Sequence, residues 1–288
     1  MAKPGRRRFA PLKHTPGQQQ THLPKLQGVI FDVDGTLCLP QNYMFTQMRS
    51  VLGIPKSIDI LAHISSLPTA AEREEAMESI RAIERAAMAS QEAQPGLGTL
   101  MTYLQEQGVR KAICTRNFEQ PVTHLLEKFL VGLDFSPVVT RDFRPPKPDP
   151  AGLLFIARSW GLVREVDDAA ADVASGSPST DALLEAAAQG PESEREGARG
   201  PKENDAKSVD KAEEVGDASA LIMVGDSIDD MTAGRHAGAA TVLLVNNENA
   251  NLAEHPHTDL VIGRLDELVG VLDSGFVGRE IPIDGASS

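Results

Sequence analysis

The chain has 288 residues and a formal net charge of −13, which argues against general nucleic-acid affinity. At 41% apolar and 4% aromatic residues it can bury a core of aliphatic side chains, as one large domain or two small ones. Cys38 and Cys114 have no zinc-like spacing and are too few for a disulfide framework. No stretch approaches the ~18 apolar residues of a membrane span, and no apolar run near the start resembles a secretory signal, so a reducing, cytoplasmic setting is expected.

Residues 1–25 carry Lys3, Arg6, Arg7, Arg8, Lys13 and Lys25 and no acid. This basic start could be a mitochondrial presequence, but Pro4, Gly5, Pro11, Pro16 and Gly17 interrupt any amphipathic helix. A flexible basic arm is the expectation. The apolar run Val29, Ile30 and Phe31 then reads as a buried strand, ending at Asp32-Val33-Asp34 with Gly35 as the turn. Residues two apart on a strand point the same way, so both acids can face one site. Two like charges this close need a counter-charge, and a divalent metal supplies one.

From residue 39 to 93 the pattern turns helical. In residues 72–88 the apolar Ala76, Met77, Ile80, Ile83, Ala87 and Met88 recur at helical spacing, with charged residues on the other positions. Shorter helices are expected over 41–52 and 57–67, punctuated by Pro55 and Pro68. The segment reads as a small all-helical unit inserted between two parts of an α/β core.

The core continues with a helix over 99–107, closed by Gly108, and a second buried strand over 109–114 that ends at Thr115-Arg116-Asn117. A helix over 121–130 and a short strand over 137–140 follow. Gly96-x-Gly98 follows no strand and lacks a third glycine, so it reads as a turn and not as a nucleotide loop. A proline-rich loop then carries Lys147, and Asp149-Pro150 opens a helix over 151–160 as N-cap and first helical residue.

Residues 164–217 differ in composition. Acids outnumber bases more than two to one, and Ala, Ser, Gly and Pro make up much of the rest. This is the signature of a disordered acidic insert, with a hint of helix only over 181–188. The core resumes with a strand over 220–224 ending in Gly225-Asp226, a helix over 227–237, a strand over 241–245, a last strand over 259–262 and a helix over 265–272. Strands alternating with helices imply an α/β fold with a doubly wound parallel sheet.

In a parallel sheet all carboxyl ends lie on one edge, so Asp32, Asp34, Thr115, Lys147, Asp226 and Asp230 can converge there. Carboxylates around a metal, with a lysine, suit the handling of a phosphoryl group. Each residue has a blander reading. A lone Asp after a strand is usually a turn former or cap, and a lysine in a proline-rich loop is usually solvated. A calcium loop at Asp32-x-Asp34 fails, because its twelfth place is Tyr43 and not Glu. Arg116, Asn117, Arg141 and Arg144 flank the site and read as solvated surface, although they could reach a substrate.

The motifs resemble those of the haloacid dehalogenase (HAD) superfamily: Asp32-Val33-Asp34-Gly35-Thr36, then Thr115, then Lys147 in Lys-Pro-Asp-Pro, then Gly225-Asp226-Ser-Ile-Asp-Asp230. The order holds over 26–160 and 218–272. The resemblance implies a Rossmannoid core over 26–38, 94–163 and 218–288, with 39–93 as its helical cap. It implies Asp32 as nucleophile forming an aspartyl-phosphate, and Asp34 as general acid and then base. Thr115, with Arg116 beside it, and Lys147 would hold the phosphoryl group. Mg²⁺ would be bound by Asp32, the main-chain carbonyl of Asp34, and Asp226, with Asp230 in support in preference to Asp229. Asp34 argues for phosphoryl chemistry over dehalogenation, since a halide needs no proton. Lys56 is the only lysine of 39–93, so a Schiff-base phosphonatase is a poor fit. The expected activity is hydrolysis of a small phosphorylated metabolite. A sugar-phosphate mutase and a non-catalytic interaction protein stand as alternatives.

Overall fold

The computed structural model describes residues 8–13, 22–165 and 214–279. The expected helix at 181–188, most of the acidic insert and most of the basic arm lie outside them.

The sheet is organised around β1 (Gly28–Phe31), which is fully buried along its length. A strand covered on both faces is a continuous apolar run, as these four residues are. β2 (Arg110–Cys114) and β3 (Val138–Val139) lie on one side of it. On the other side lie β6 (Leu221–Gly225), β7 (Ala240–Leu244) and β8 (Leu260–Ile262), giving six strands in the order β3-β2-β1-β6-β7-β8. All five pairings are parallel. The strand order reverses direction at β1, the place where open α/β sheets form a ligand crevice.

Register sets which residues meet at that crevice. Phe31 is paired with Ile113 on one side and with Val224 on the other. The three strands therefore end level, and the residues just beyond them share one edge. Val29 and Phe31 face a core built with Leu100, Leu104, Leu125 and Leu268. These come from α4 (Leu97–Glu106), α5 (Glu119–Phe129) and α8 (Glu267–Ser274). Ile30 faces the opposite core, with Leu153, Ile156, Ala233 and Ala237 of α6 (Ala151–Ser159) and α7 (Ile228–Ala237). Alternation along one strand thus feeds both layers.

The helical unit between β1 and α4 consists of α1 (Tyr43–Leu52), α2 (Ile60–Ser66) and α3 (Ala70–Ala89). Met48, Ile60, Ile64 and Ile80 form its own small core. Its two linkers pair side by side: Leu39 N–H donates to the Glu92 carbonyl at 2.9 Å, and Gln94 N–H to the Leu37 carbonyl at 3.0 Å. The cap therefore leaves and re-enters the core through a two-stranded waist.

Two sequence expectations change. Within the expected arm, Phe9 is 2% exposed and its N–H donates to the Phe276 carbonyl at 3.0 Å, so residues 8–13 are anchored on the core through Phe9. Within the expected insert, Arg164, Glu165 and Glu214 to Gly216 are ordered. They form an antiparallel ribbon of β4 (Val163–Glu165) and β5 (Glu214–Gly216), with Glu165 opposite Glu214. The ribbon precedes β6 in the chain and packs along α6, with Gly216 close to the Leu154 carbonyl. No described helix is long and apolar enough to cross a membrane.

Candidate active site

Asp32 is the first residue beyond β1, held by its N–H donating to the Val224 carbonyl at 3.0 Å. It is 8% exposed. Lys147 reaches it from the proline-rich loop, Nζ to Oδ1 at 2.7 Å, and also contacts Asp230 Oδ1 at 2.5 Å. Asp230 is fully buried in the first turn of α7. Its Oδ2 accepts from Ser227 Oγ at 2.6 Å and from Ser227 N–H at 3.1 Å, closing a capping box. The cap that starts α7 is therefore the device that aims Asp230 at Lys147.

Asp226 follows β6. Ligand oxygens of Asp32, Asp226 and Asp230 all lie within 4.8 Å of one another. Two glycines make this approach possible. A Cβ on Gly35, whose φ is +76°, would stand 2.0 Å from Asp226 Oδ2. A Cβ on Gly225 would stand 2.4 Å from the Asp230 side chain. Both values lie far inside contact distance, so only glycine fits.

The electrostatics show a shortage of positive charge. Burial pushes the Asp32 carboxyl up to about 6 against the pull of Lys147, and the Asp230 charge adds to the rise. Burial also raises Asp226 to about 7, with the charges of Asp230 and Asp32 contributing. For Lys147 burial acts downward, but Asp230 and Asp32 outweigh it and hold the ammonium firmly charged. Three buried or half-buried carboxylates face one ammonium. An oxygen-only, strongly anionic donor set of this kind fits a hard divalent cation such as Mg²⁺. Asp32 and Asp226 have oxygens to offer it, whereas both oxygens of Asp230 are taken by Lys147 and Ser227.

Other expected residues lie as follows. Thr115 is buried just beyond β2, its N–H on the Val139 carbonyl at 2.9 Å and its Oγ1 accepting from Asn117 N–H at 3.2 Å. The Asp34 side chain is outside the carboxylate cluster. Its Oδ1 accepts from Cys38 Sγ at 3.5 Å, and burial followed by the Asp34 charge raises the Cys38 thiol, keeping the donor protonated. Arg116 is turned away from the cluster too, in an ion pair with Asp229 Oδ2 at 2.6 Å. That pair also separates the adjacent acids of α7: Asp230 points in and Asp229 points out. The sequence reading missed Asn246 and Asn249. Asn249 donates to the Asp226 carbonyl at 2.7 Å, and Asn246 Nδ2 lies 3.5 Å from Asp226 Oδ2. Neither sits in a motif, and Asn-rich turns are common as plain turns.

A parallel sheet with a helical unit after its first strand, and a lysine among aspartates at its carboxyl edge, is the arrangement that the HAD-like motifs imply. A family model described as HAD-hydrolase-like matches residues 174–268. An uncharacterized hydrolase of Saccharomyces cerevisiae is 36% identical over 257 residues, covering 88% of this chain and 93% of the yeast protein. A Pseudomonas putida protein named "Probable phosphoglycolate phosphatase" is 36% identical over 84 residues, 27% of this chain and 34% of its own. Among solved structures, CbbY from Rhodobacter sphaeroides in complex with phosphate aligns with a TM-score of 0.53 and 15% identity, over 84% of this chain and 96% of that one. The chain belongs to the HAD-like hydrolases.

Proposed function

We propose that this hydrolase removes phosphate from a small phosphomonoester in a Mg²⁺-dependent reaction that passes through an aspartyl-phosphate on Asp32. The observation that carries the reading is the convergence of Asp32, Asp226 and Asp230 within 4.8 Å, braced by Lys147. The phosphatase named among its relatives and the phosphate held by the similar fold support the same chemistry.

Asp32 Oδ1 is bonded to Lys147 and keeps a second lone pair for a cation, which leaves Oδ2 to attack phosphorus in line. As the P–O bond to the leaving group breaks, Asp34, which enters this step protonated on Oδ2 while Oδ1 accepts from Cys38, gives its proton to the departing oxygen. Asp34, now a carboxylate, takes a proton from water. The hydroxide formed attacks the same phosphorus, releasing phosphate and restoring Asp32. Thr115 and neighbouring amides receive the phosphoryl oxygens, and Lys147 offsets charge on both Asp32 and the transferring group. Asp32, Asp226 and the Asp34 main-chain carbonyl would hold Mg²⁺, with Asp230 in support. When bound, the cation neutralises charge on the phosphoryl oxygens. The helical unit α1–α3 would close over the crevice, exclude water and select the leaving group.

Purified protein is expected to hydrolyse p-nitrophenyl phosphate with Mg²⁺, to lose that activity in EDTA and to regain it on re-addition. Asp32→Asn abolishes it. Absence of hydrolysis across a broad panel of phosphorylated metabolites in the presence of Mg²⁺ sinks the reading.

A further inference from the structure

The turn at 246–249 belongs to no motif, yet it touches the cation site and the cap at once. The Asp226 carbonyl and the Leu244 carbonyl lie at or beyond the ends of neighbouring strands. One side chain serves both: Asn249, 8% exposed, donates from Nδ2 to the Asp226 carbonyl at 2.7 Å and to the Leu244 carbonyl at 3.1 Å. Its Oδ1 accepts from Asn246 N–H at 2.7 Å, and its own N–H donates to Asn246 Oδ1 at 3.1 Å. These bonds orient Asn246, whose Nδ2 faces Asp226 Oδ2 at 3.5 Å. On the same turn, Glu248 N–H donates to Asn246 Oδ1 at 2.8 Å. Its carboxylate then accepts from Asn42 Nδ2, at the start of cap helix α1, at 2.7 Å.

We propose that this turn is a positioning element of the cation site, in which Asn249 fixes the main chain of Asp226, Asn246 orients its carboxylate, and Glu248 ties both to the cap through Asn42. The proposal rests on the cation reading above. An amide is the right group for Asn249, because it alone offers two donors and an acceptor in one plane. Alanine would leave two carbonyls unpaired and free Asp226 to move relative to Asp32. Partners that orient a ligand commonly matter to cation affinity nearly as much as the ligand does. The link through Glu248 makes cap position and cation binding reciprocal, so whatever favours one favours the other.

The test is Mg²⁺ affinity by isothermal titration calorimetry on the full chain, with circular dichroism and melting in EDTA alongside. Asn249→Ala is expected to weaken Mg²⁺ binding about 10- to 100-fold. Asn246→Ala, on the more exposed side of the turn, is expected to weaken it about 3- to 10-fold with an unchanged melting temperature in EDTA, and it carries the test if Asn249→Ala does not fold. Asn42→Ala touches no cation ligand and is expected to weaken binding about twofold to fivefold through the cap link. Wild-type protein that takes up no Mg²⁺ defeats the cation reading itself. Wild-type binding with unchanged affinity in the Asn246 and Asn249 variants defeats this proposal alone, and unchanged affinity in Asn42→Ala defeats the cap link.

Discussion

Lys147 is a residue whose meaning depends on its surroundings. In sequence it is a lysine among prolines, with nothing to separate a solvated side chain from a buried one. In the fold its side chain is 3% exposed and bridges Asp32 and Asp230. Removing one partner of a buried charge group leaves the others uncompensated, at a cost of about 3–5 kcal/mol. Lys147→Met is therefore expected to lower the melting temperature as well as hydrolysis, and a variant that melts like wild type contradicts the arrangement. Asp230 was legible from its four-residue spacing to Asp226. That spacing already favoured Asp230 over Asp229, and helix geometry gives the physical reason that only one can face the cluster: neighbours on a helix point about 100° apart, given ~3.6 residues per turn. Asp229→Ala, which breaks only the exposed pair with Arg116, is expected to keep hydrolysis within about threefold of wild type, since such pairs contribute about 0–1 kcal/mol. A loss as deep as that of Asp230→Ala would show that the two acids have been assigned the wrong way round.

At the scale of elements, what repeats was readable and what closes at long range was not. β1, β2, β6 and β7 were visible as apolar runs, and α3 as a helical stripe. The start of α3 lies two residues earlier than its stripe, because Thr69 and Glu72 form a reciprocal cap. The segment 8–13 had no period to read. Its single aromatic sits among bases and prolines, and apart from the Pro24 carbonyl that accepts from Ala10 N–H, its hydrogen-bond and ion-pair partners lie more than 250 positions away. Phe9 packs on Phe276 with ring centroids 5.7 Å apart, and Lys13 pairs with Asp273 at 2.7 Å. Phe9→Ala is expected to destabilise the fold by about 3–5 kcal/mol, and Lys13→Ala by less than about 1 kcal/mol. Chemical denaturation separates the two. Equal and small effects would mean that the segment merely rests on the surface.

For the whole molecule, the parallel sheet decides what can be added without harm. The crevice lies at the carboxyl ends of the strands, whereas the acidic segment is attached through the β4–β5 ribbon, which packs on α6 and supplies none of the clustered carboxylates. Because Glu165 faces Glu214 across that ribbon, a two-residue Asn-Gly turn can join them. Gly216 must stay, since a Cβ there would stand 2.0 Å from the Leu154 carbonyl. A protein lacking 166–213 is expected to hydrolyse p-nitrophenyl phosphate within about threefold of the full chain, because loop length costs little. Lost activity with an intact far-ultraviolet spectrum would give that segment a catalytic part. The same geometry recurs near the two ends of the described chain, where Arg8 and Val277 pair as an antiparallel bridge. Sequence order is therefore separable from architecture: a circular permutant, tethered from 279 to 8 and cut open at a surface loop, would thread the same layers from a different starting point.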